Sequence, residues 1–112
     1  MAVGGAPRLA AGMLVSALIR RAEQAGGGGM VLAKGDATAG ALLIQLADRG
    51  QPGPLLERRL DPEGNYRWSP TGPDADEERG AYITRRRRSD PDLWVIELDV
   101  PDGLALVENI AG

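Results

Sequence analysis

Between Asp74 and Val100 the chain changes its hydropathy period, and that change limits the fold more than any other stretch. Carboxylates at Asp74, Asp76, Glu77 and Glu78 stand where a helix presents its positive end. Arg85 to Arg88 stand where the helix dipole is negative. Asp74, with Glu77 three residues on, predicts an N-cap with a capping box. Gly80 weakens the middle by roughly 1 kcal/mol relative to alanine. Ala75, Tyr82 and Ile83 supply only a thin apolar stripe, so this helix is expected to pack lightly or against a partner. Asp90-Pro91-Asp92 ends it, because the residue before proline avoids helical geometry. The period then becomes two. Trp94, Ile96, Leu98 and Val100 share one face of a strand, and Leu93, Val95, Glu97 and Asp99 share the other.

The rest of the chain supplies shorter elements. Leu14, Leu18, Ala22 and Ala25 recur at helical spacing, which predicts a helix within Ser16 to Ala25, with Ser16 as N-cap. Gly26 to Gly29 ends it, since glycine takes the left-handed C′ conformation freely. Residues 9–15 fit either a short strand or an early helical turn. Met30 to Ala33 and Ala41 to Ala47 read as strands. The turn between them, from Lys34 to Gly40, is too short for a crossover, so an antiparallel pair is expected. Residues 49–54 read as a loop, because two prolines and two glycines interrupt any pattern. Leu55 to Leu60 and Asn65 to Trp68 predict a hairpin about Asp61-Pro62-Glu63-Gly64. Ser69 to Pro73 reads as a second loop. After the turn at Pro101-Asp102-Gly103, Leu104 to Val107 predicts a terminal strand. The expected architecture is a single α+β domain over residues 1–112, with a small, mainly antiparallel sheet and two helices. Residues 1–8 and 109–112 are expected to fray.

Composition narrows the chemistry. The 112-residue chain has no cysteine and no histidine. A thiolate nucleophile or metal site, the commonest general base and the usual transition-metal ligand are therefore missing. Net charge is −3, unevenly placed. Residues 1–60 hold seven Lys/Arg against four Asp/Glu, whereas 61–112 hold six against twelve. An acidic chain is not the usual profile of a general nucleic-acid binder. No signal peptide is read at the N-terminus, and Leu14 to Ile19 is too short to span a bilayer, so a cytoplasmic location is expected, with no membrane partner.

Three segments carry a family resemblance: V-S-A-L-I-R-R (15–21), K-G-D-A-T-A-G-A (34–41) and D-P-D-L-W-V-I-E-L-D (90–99). They resemble a family of short bacterial proteins of about this length, classed as a domain of unknown function. The resemblance spans most of the chain, and D-P-D-L-W-V is its most specific part. It implies a small cytoplasmic protein with no assigned activity, cofactor or catalytic residue.

Against that background each candidate site has a plainer explanation. Arg85, Arg86, Arg87 and Arg88, with Arg58 and Arg59, form the candidate partner-binding set, for an acidic protein or a second copy of the chain. The plainer account is dipole complementarity and solvation, with at least one arginine folding back onto Asp90, Asp92 or the early acidic turn. Nucleic acid bound by Arg85 to Arg88 is the alternative partner. Tyr66, Trp68 and Trp94 could stack on bases, but core packing is favoured for both tryptophans. Asp36, Asp90, Asp92, Glu97 and Asp99 could gather a divalent cation for a carboxylate-dependent enzyme, yet a solvated strand face and turn chemistry account for them. Gly26 to Gly29 lacks the ending of a phosphate loop, and Lys34-Gly35-Asp36 fits a turn held by the Asp36 side chain. Ser16 has no base beside it. No catalytic residue, cofactor or metal is expected, and a non-enzymatic interaction module is the favoured function.

Overall fold

The computed structural model describes residues 9–111; the expected fraying of residues 1–8 and of residue 112 lies outside them, while residues 109–111 belong to a helix. Eight elements follow in order: α1 (Ala11–Gln24), β1 (Gly28–Ala33), β2 (Leu42–Asp48), β3 (Gln51–Leu60), β4 (Tyr66–Thr71), α2 (Asp76–Ser89), β5 (Trp94–Asp99) and α3 (Gly103–Ala111). The strands form one sheet in the order β1-β5-β2-β3-β4. Every pairing is antiparallel except β2 with β5. The fold is therefore α+β with a mainly antiparallel sheet, and the described residues form three helices where two were expected.

The expected β1–β2 pair does not form, because β5 lies between them. Two physical features put it there. β5 carries apolar residues on both faces, and such a strand is stable only in the interior of a sheet. The 34–41 connection also steps across the start of β5 instead of closing a hairpin. Asp36 N–H donates to the Asp92 carbonyl, Trp94 Nε1 donates to the Asp36 carbonyl at 2.7 Å, and Trp94 N–H donates to Ala41.

The main core lies on one face, where α1 and α3 cover Leu42, Ile44, Leu46, Leu56, Trp68, Trp94, Ile96 and Leu98. Both tryptophans are buried there, as expected. The second face is thinner: α2 sets Tyr82 and Ile83 against Leu43, Leu93, Val95 and Ala33.

Several boundaries differ from the expectations. α1 begins at Ala11, so Ser16 lies inside the helix and is exposed. Its cap is Ala10, with no side-chain bond, because Thr38 and Ala37 carbonyls accept from the Ala11 and Gly12 N–H groups. Its far end is a Schellman turn: Gly26, at φ 90°, donates to Glu23, and Gly27 donates to Ala22. The expected 49–54 loop is a two-residue hairpin turn at Arg49-Gly50 followed directly by β3. Both turn residues have positive φ, the geometry that matches strand twist. Pro52 is tolerated because the β2–β3 ladder is irregular between Gln45 and Ala47. β4 likewise extends through Pro70 to Thr71, into the expected second loop. The Leu104 to Val107 segment is helical, since Leu104, Val107 and Ile110 form one stripe at spacing three.

Candidate functional site

α2 is anchored by polar groups more than by aliphatic ones. Taking 100° per residue, Arg79, Tyr82, Ile83 and Arg86 share one side of the helix, Arg87 borders it, and Arg85 and Arg88 point away. The structure follows that geometry.

Arg79 is the buried residue at the helix start. Its Nε donates to the Pro73 carbonyl at 3.2 Å and its Nη2 to the Asp74 carbonyl at 2.7 Å, while Nη1 reaches Asp76 Oδ1 at 3.4 Å. This guanidinium organises the entry to the helix. The expected Asp74 capping box is absent: the cap is Ala75, without a side-chain bond.

Arg86 makes a two-pronged contact with Glu57 of β3, with Nη1 to Oε1 at 2.9 Å and Nη2 to Oε2 at 2.6 Å. Its Nη1 also donates to the Tyr82 hydroxyl at 2.9 Å. The Arg86 hydrogen bond holds the Glu57 carboxyl below its ordinary value against the opposing effect of burial. The same bond raises the Arg86 pKa.

Arg87 neutralises no carboxylate among the described residues. Its Nη1 instead gathers the carbonyls of Lys34, Pro91 and Leu93, the last at 2.7 Å. It thereby ties the end of α2 to the C-terminal end of β1 and the start of β5. The expected return of an arginine to Asp90, Asp92 or the early acidic turn takes a different form at this helix end: Glu57 and three carbonyls receive Arg86 and Arg87.

Arg85 and Arg88 are exposed. Arg85 lies over the Tyr82 ring at 5.9 Å, and Arg88 makes no hydrogen bond or ion pair among the described residues. Arg59 is on the same face of the sheet as α2, bonded to Thr71 Oγ1 at 2.7 Å and to Glu57 at 3.3 Å. Arg58, one residue earlier, falls on the opposite face by strand alternation. There it stacks near Tyr66 and Trp68, at 5.1 and 5.8 Å from the ring centroids. The six candidate arginines therefore divide between two faces. Arg58 lines a cleft of about 550 Å³ with Leu14, Thr38, Leu42, Tyr66 and Trp68.

Three of the candidate carboxylates, Asp36, Asp90 and Asp99, serve turns, while Glu97 lies within β5. Asp36 Oδ2 accepts from Thr38 and Ala39 N–H, as the Lys34-Gly35-Asp36 turn implies, and Asp90 accepts from Asp92 N–H. Asp99 accepts from Arg49 and Gly50 N–H at 2.7 and 2.9 Å, holding the hairpin turn. Among the described residues, no group of three or more Asp/Glu side chains is arranged to hold a metal ion.

Comparisons with known proteins bear on this arrangement. A family model described as "Protein of unknown function (DUF1491)" matches residues 9–108. The chain belongs to the DUF1491 family. A crystal structure of a DUF1491 family protein from Caulobacter crescentus CB15 is similar, with 37% identity and a TM-score of 0.75. The match covers 88% of this chain and 94% of that one. An NMR structure of a DUF1491 family protein from the same organism shows 36% identity and a TM-score of 0.73, covering 90% and 94% of the two chains. Protein Atu0922 from A. tumefaciens shows 33% identity and a TM-score of 0.66, covering 86% and 89%. No curated protein matches the chain. Among the described residues of this DUF1491 protein, no helix is long and apolar enough to cross a membrane.

Proposed function

We propose that this DUF1491 protein is a non-enzymatic, cytoplasmic interaction module that docks an acidic protein segment on the outward side of α2. One observation carries the proposal. Arg86 and Arg87 are taken up by the fold, but Arg85 and Arg88 remain exposed and outward, beyond what holding the helix requires. Arg59, which shares Glu57 with Arg86, lies on the sheet face that α2 covers. Two exposed guanidiniums on one helical turn suit a pair of carboxylates, through charge-assisted hydrogen bonds that arginine makes in a planar fork. The absence of histidine and cysteine from the chain supports a binding role over catalysis.

The test is affinity capture from an extract of the native cell, with and without nuclease. The baits are the wild-type chain and the R85E/R88E double variant. The expected result is capture of an acidic protein that survives nuclease and is lost with the double variant, whose thermal midpoint stays near wild type. Capture that disappears with nuclease assigns the same surface to nucleic acid instead. Capture unchanged by the double reversal refutes both.

A further inference from the structure

We infer that the acidic segment held by Arg85 and Arg88 is the start of α2 in a second copy of the chain, so that two α2 helices pair antiparallel about a two-fold axis. This rests on the reading that those arginines hold a partner, and it names the partner. Taking 100° per residue, Glu77, Ala81, Thr84 and Arg88 lie within about 60° of one another, on the side of α2 opposite Arg86. Glu78 and Arg85 flank that stripe on one side. All six residues are exposed. Arg59, Arg67, Arg79 and Arg86 form ion pairs within the fold, but Glu77, Glu78, Arg85 and Arg88 form none among the described residues. A single helix cannot pair them with one another. Charges meet along a helix at spacings of three or four. The residues four places beyond Glu77 and Glu78 are Ala81 and Tyr82, and Arg88 stands about 16 Å from Glu77 along the axis.

A second copy running the other way brings together what one helix holds apart. Glu77 then faces the partner's Arg88 and Glu78 faces the partner's Arg85, and the two-fold axis repeats both pairs. A parallel pairing sets like charges together. A purely acidic foreign segment laid along this face meets Arg85 and Arg88 but runs against Glu77 and Glu78. The chain's own α2 carries both signs in the required order. The neighbouring charges keep this polarity. At the start, Asp74, Asp76, Glu77 and Glu78 stand with Arg79 alone, four against one, a balance of −3. At the end, Glu57 neutralises Arg86, and Arg85, Arg87 and Arg88 against Asp90 and Asp92 leave +1. Lys34 and Asp36, beside that end, offset each other. Asp90 and Asp92 lie beyond the helix, in the turn onto β5, where their carbonyls accept from the Leu93 and Asp36 N–H groups. Between the charged ends the stripe holds only Ala81 and Thr84, small enough for the helix axes to approach to about 8 Å. Thr84 Oγ1 donates to the Gly80 carbonyl at 3.0 Å, so covering it strands no hydroxyl. One helix face is smaller than the roughly 1,200–2,000 Å² of stable interfaces, so a Kd of about 100 μM is expected.

Sedimentation velocity of the full chain from about 10 μM to about 1 mM brackets that value. The variants are E77R/E78R, R85E/R88E, Ala81→Lys and, as a control reversal at exposed positions of α1, R20E/R21E. The expected result is a wild-type chain that passes from monomer to dimer across the series, more weakly at high salt. E77R/E78R and R85E/R88E each weaken self-association at least tenfold. Their equimolar mixture restores a dimer, since one chain carries arginine at all four positions and the other glutamate. R20E/R21E leaves the dimer unchanged. Circular dichroism checks that each variant is folded. Ala81→Lys gives Glu77 a favourable neighbour four residues on while it blocks the close approach. It keeps the test decisive if a reversal variant does not fold, and it too weakens the dimer at least tenfold. A wild-type chain that stays monomeric throughout overturns this inference and leaves the acidic-partner reading to the capture experiment. A dimer that folded R85E/R88E or Ala81→Lys leaves intact overturns it as well, and so does a mixture of the two folded reversal variants that stays monomeric.

Discussion

The four consecutive arginines have three different uses, and side-chain direction separates them. Arg86 binds a carboxylate, Arg87 binds carbonyls, and Arg85 and Arg88 face outward. The Arg86–Glu57 pair is well shielded, with side-chain exposures of 28% and 16%. Replacing Glu57 by Gln is expected to cost about 1–3 kcal/mol, read by urea unfolding at neutral pH. The pH dependence follows from the lowered Glu57 pKa. Its contribution is complete above the ordinary value of 4.5 and is lost as pH falls through the folded value. The stability difference between wild type and E57Q should therefore shrink on acidification, and a difference that grows would contradict the assignment. Part of this was legible in the sequence. Tyr82 and Ile83 define the inward stripe, and helical spacing from them puts Arg79 and Arg86 on it. Glu57 was not legible as the partner, because it is 29 residues away on a different strand. A buried arginine breaks the usual rule that the inward stripe is apolar.

At the scale of elements, α2 is held largely through its guanidiniums. Arg79 ties its start and Arg87 its end. Arg79→Met is expected to cost about 1–2 kcal/mol by leaving the Pro73 and Asp74 carbonyls without their donor. Hydrogen exchange should locate the effect: amides in the first turn of α2 should exchange faster, while those of β5 stay protected. The α1–β1 junction depends on a close approach. A Cβ on Gly27 would clash with the Asp99 carbonyl oxygen. Gly27→Ala should therefore lower stability by about 2–4 kcal/mol in thermal or urea unfolding. The glycine run was legible as a helix stop, but the need for glycine at 27 comes from Asp99 of β5, 72 residues further on. Short apolar runs were the least legible elements. Leu104 to Val107 suits a strand as well as a helix until Ile110 is counted with it.

For the whole molecule, the α+β class, the 55–68 hairpin and the buried Trp94 face of β5 followed from period and turn chemistry. Strand order did not, because pairing depends on which strand is apolar on both faces. β5, with Leu93 and Val95 on one side and Trp94, Ile96 and Leu98 on the other, takes the interior place and separates β1 from β2. That insertion leaves β1 at the edge of the sheet among the described residues and brings the end of α2 beside it, through Arg87 and Lys34. We propose that the arginine run serves the fold with two residues and a partner with the other two. The most direct measurement compares capture from nuclease-treated extract by R85E/R88E and by a folded R86M/R87M variant, with thermal midpoints for both. R85E/R88E is expected to lose the partner at an unchanged midpoint, and R86M/R87M to melt earlier yet still capture it while folded. Capture retained by R85E/R88E but lost by a folded R86M/R87M chain would contradict it.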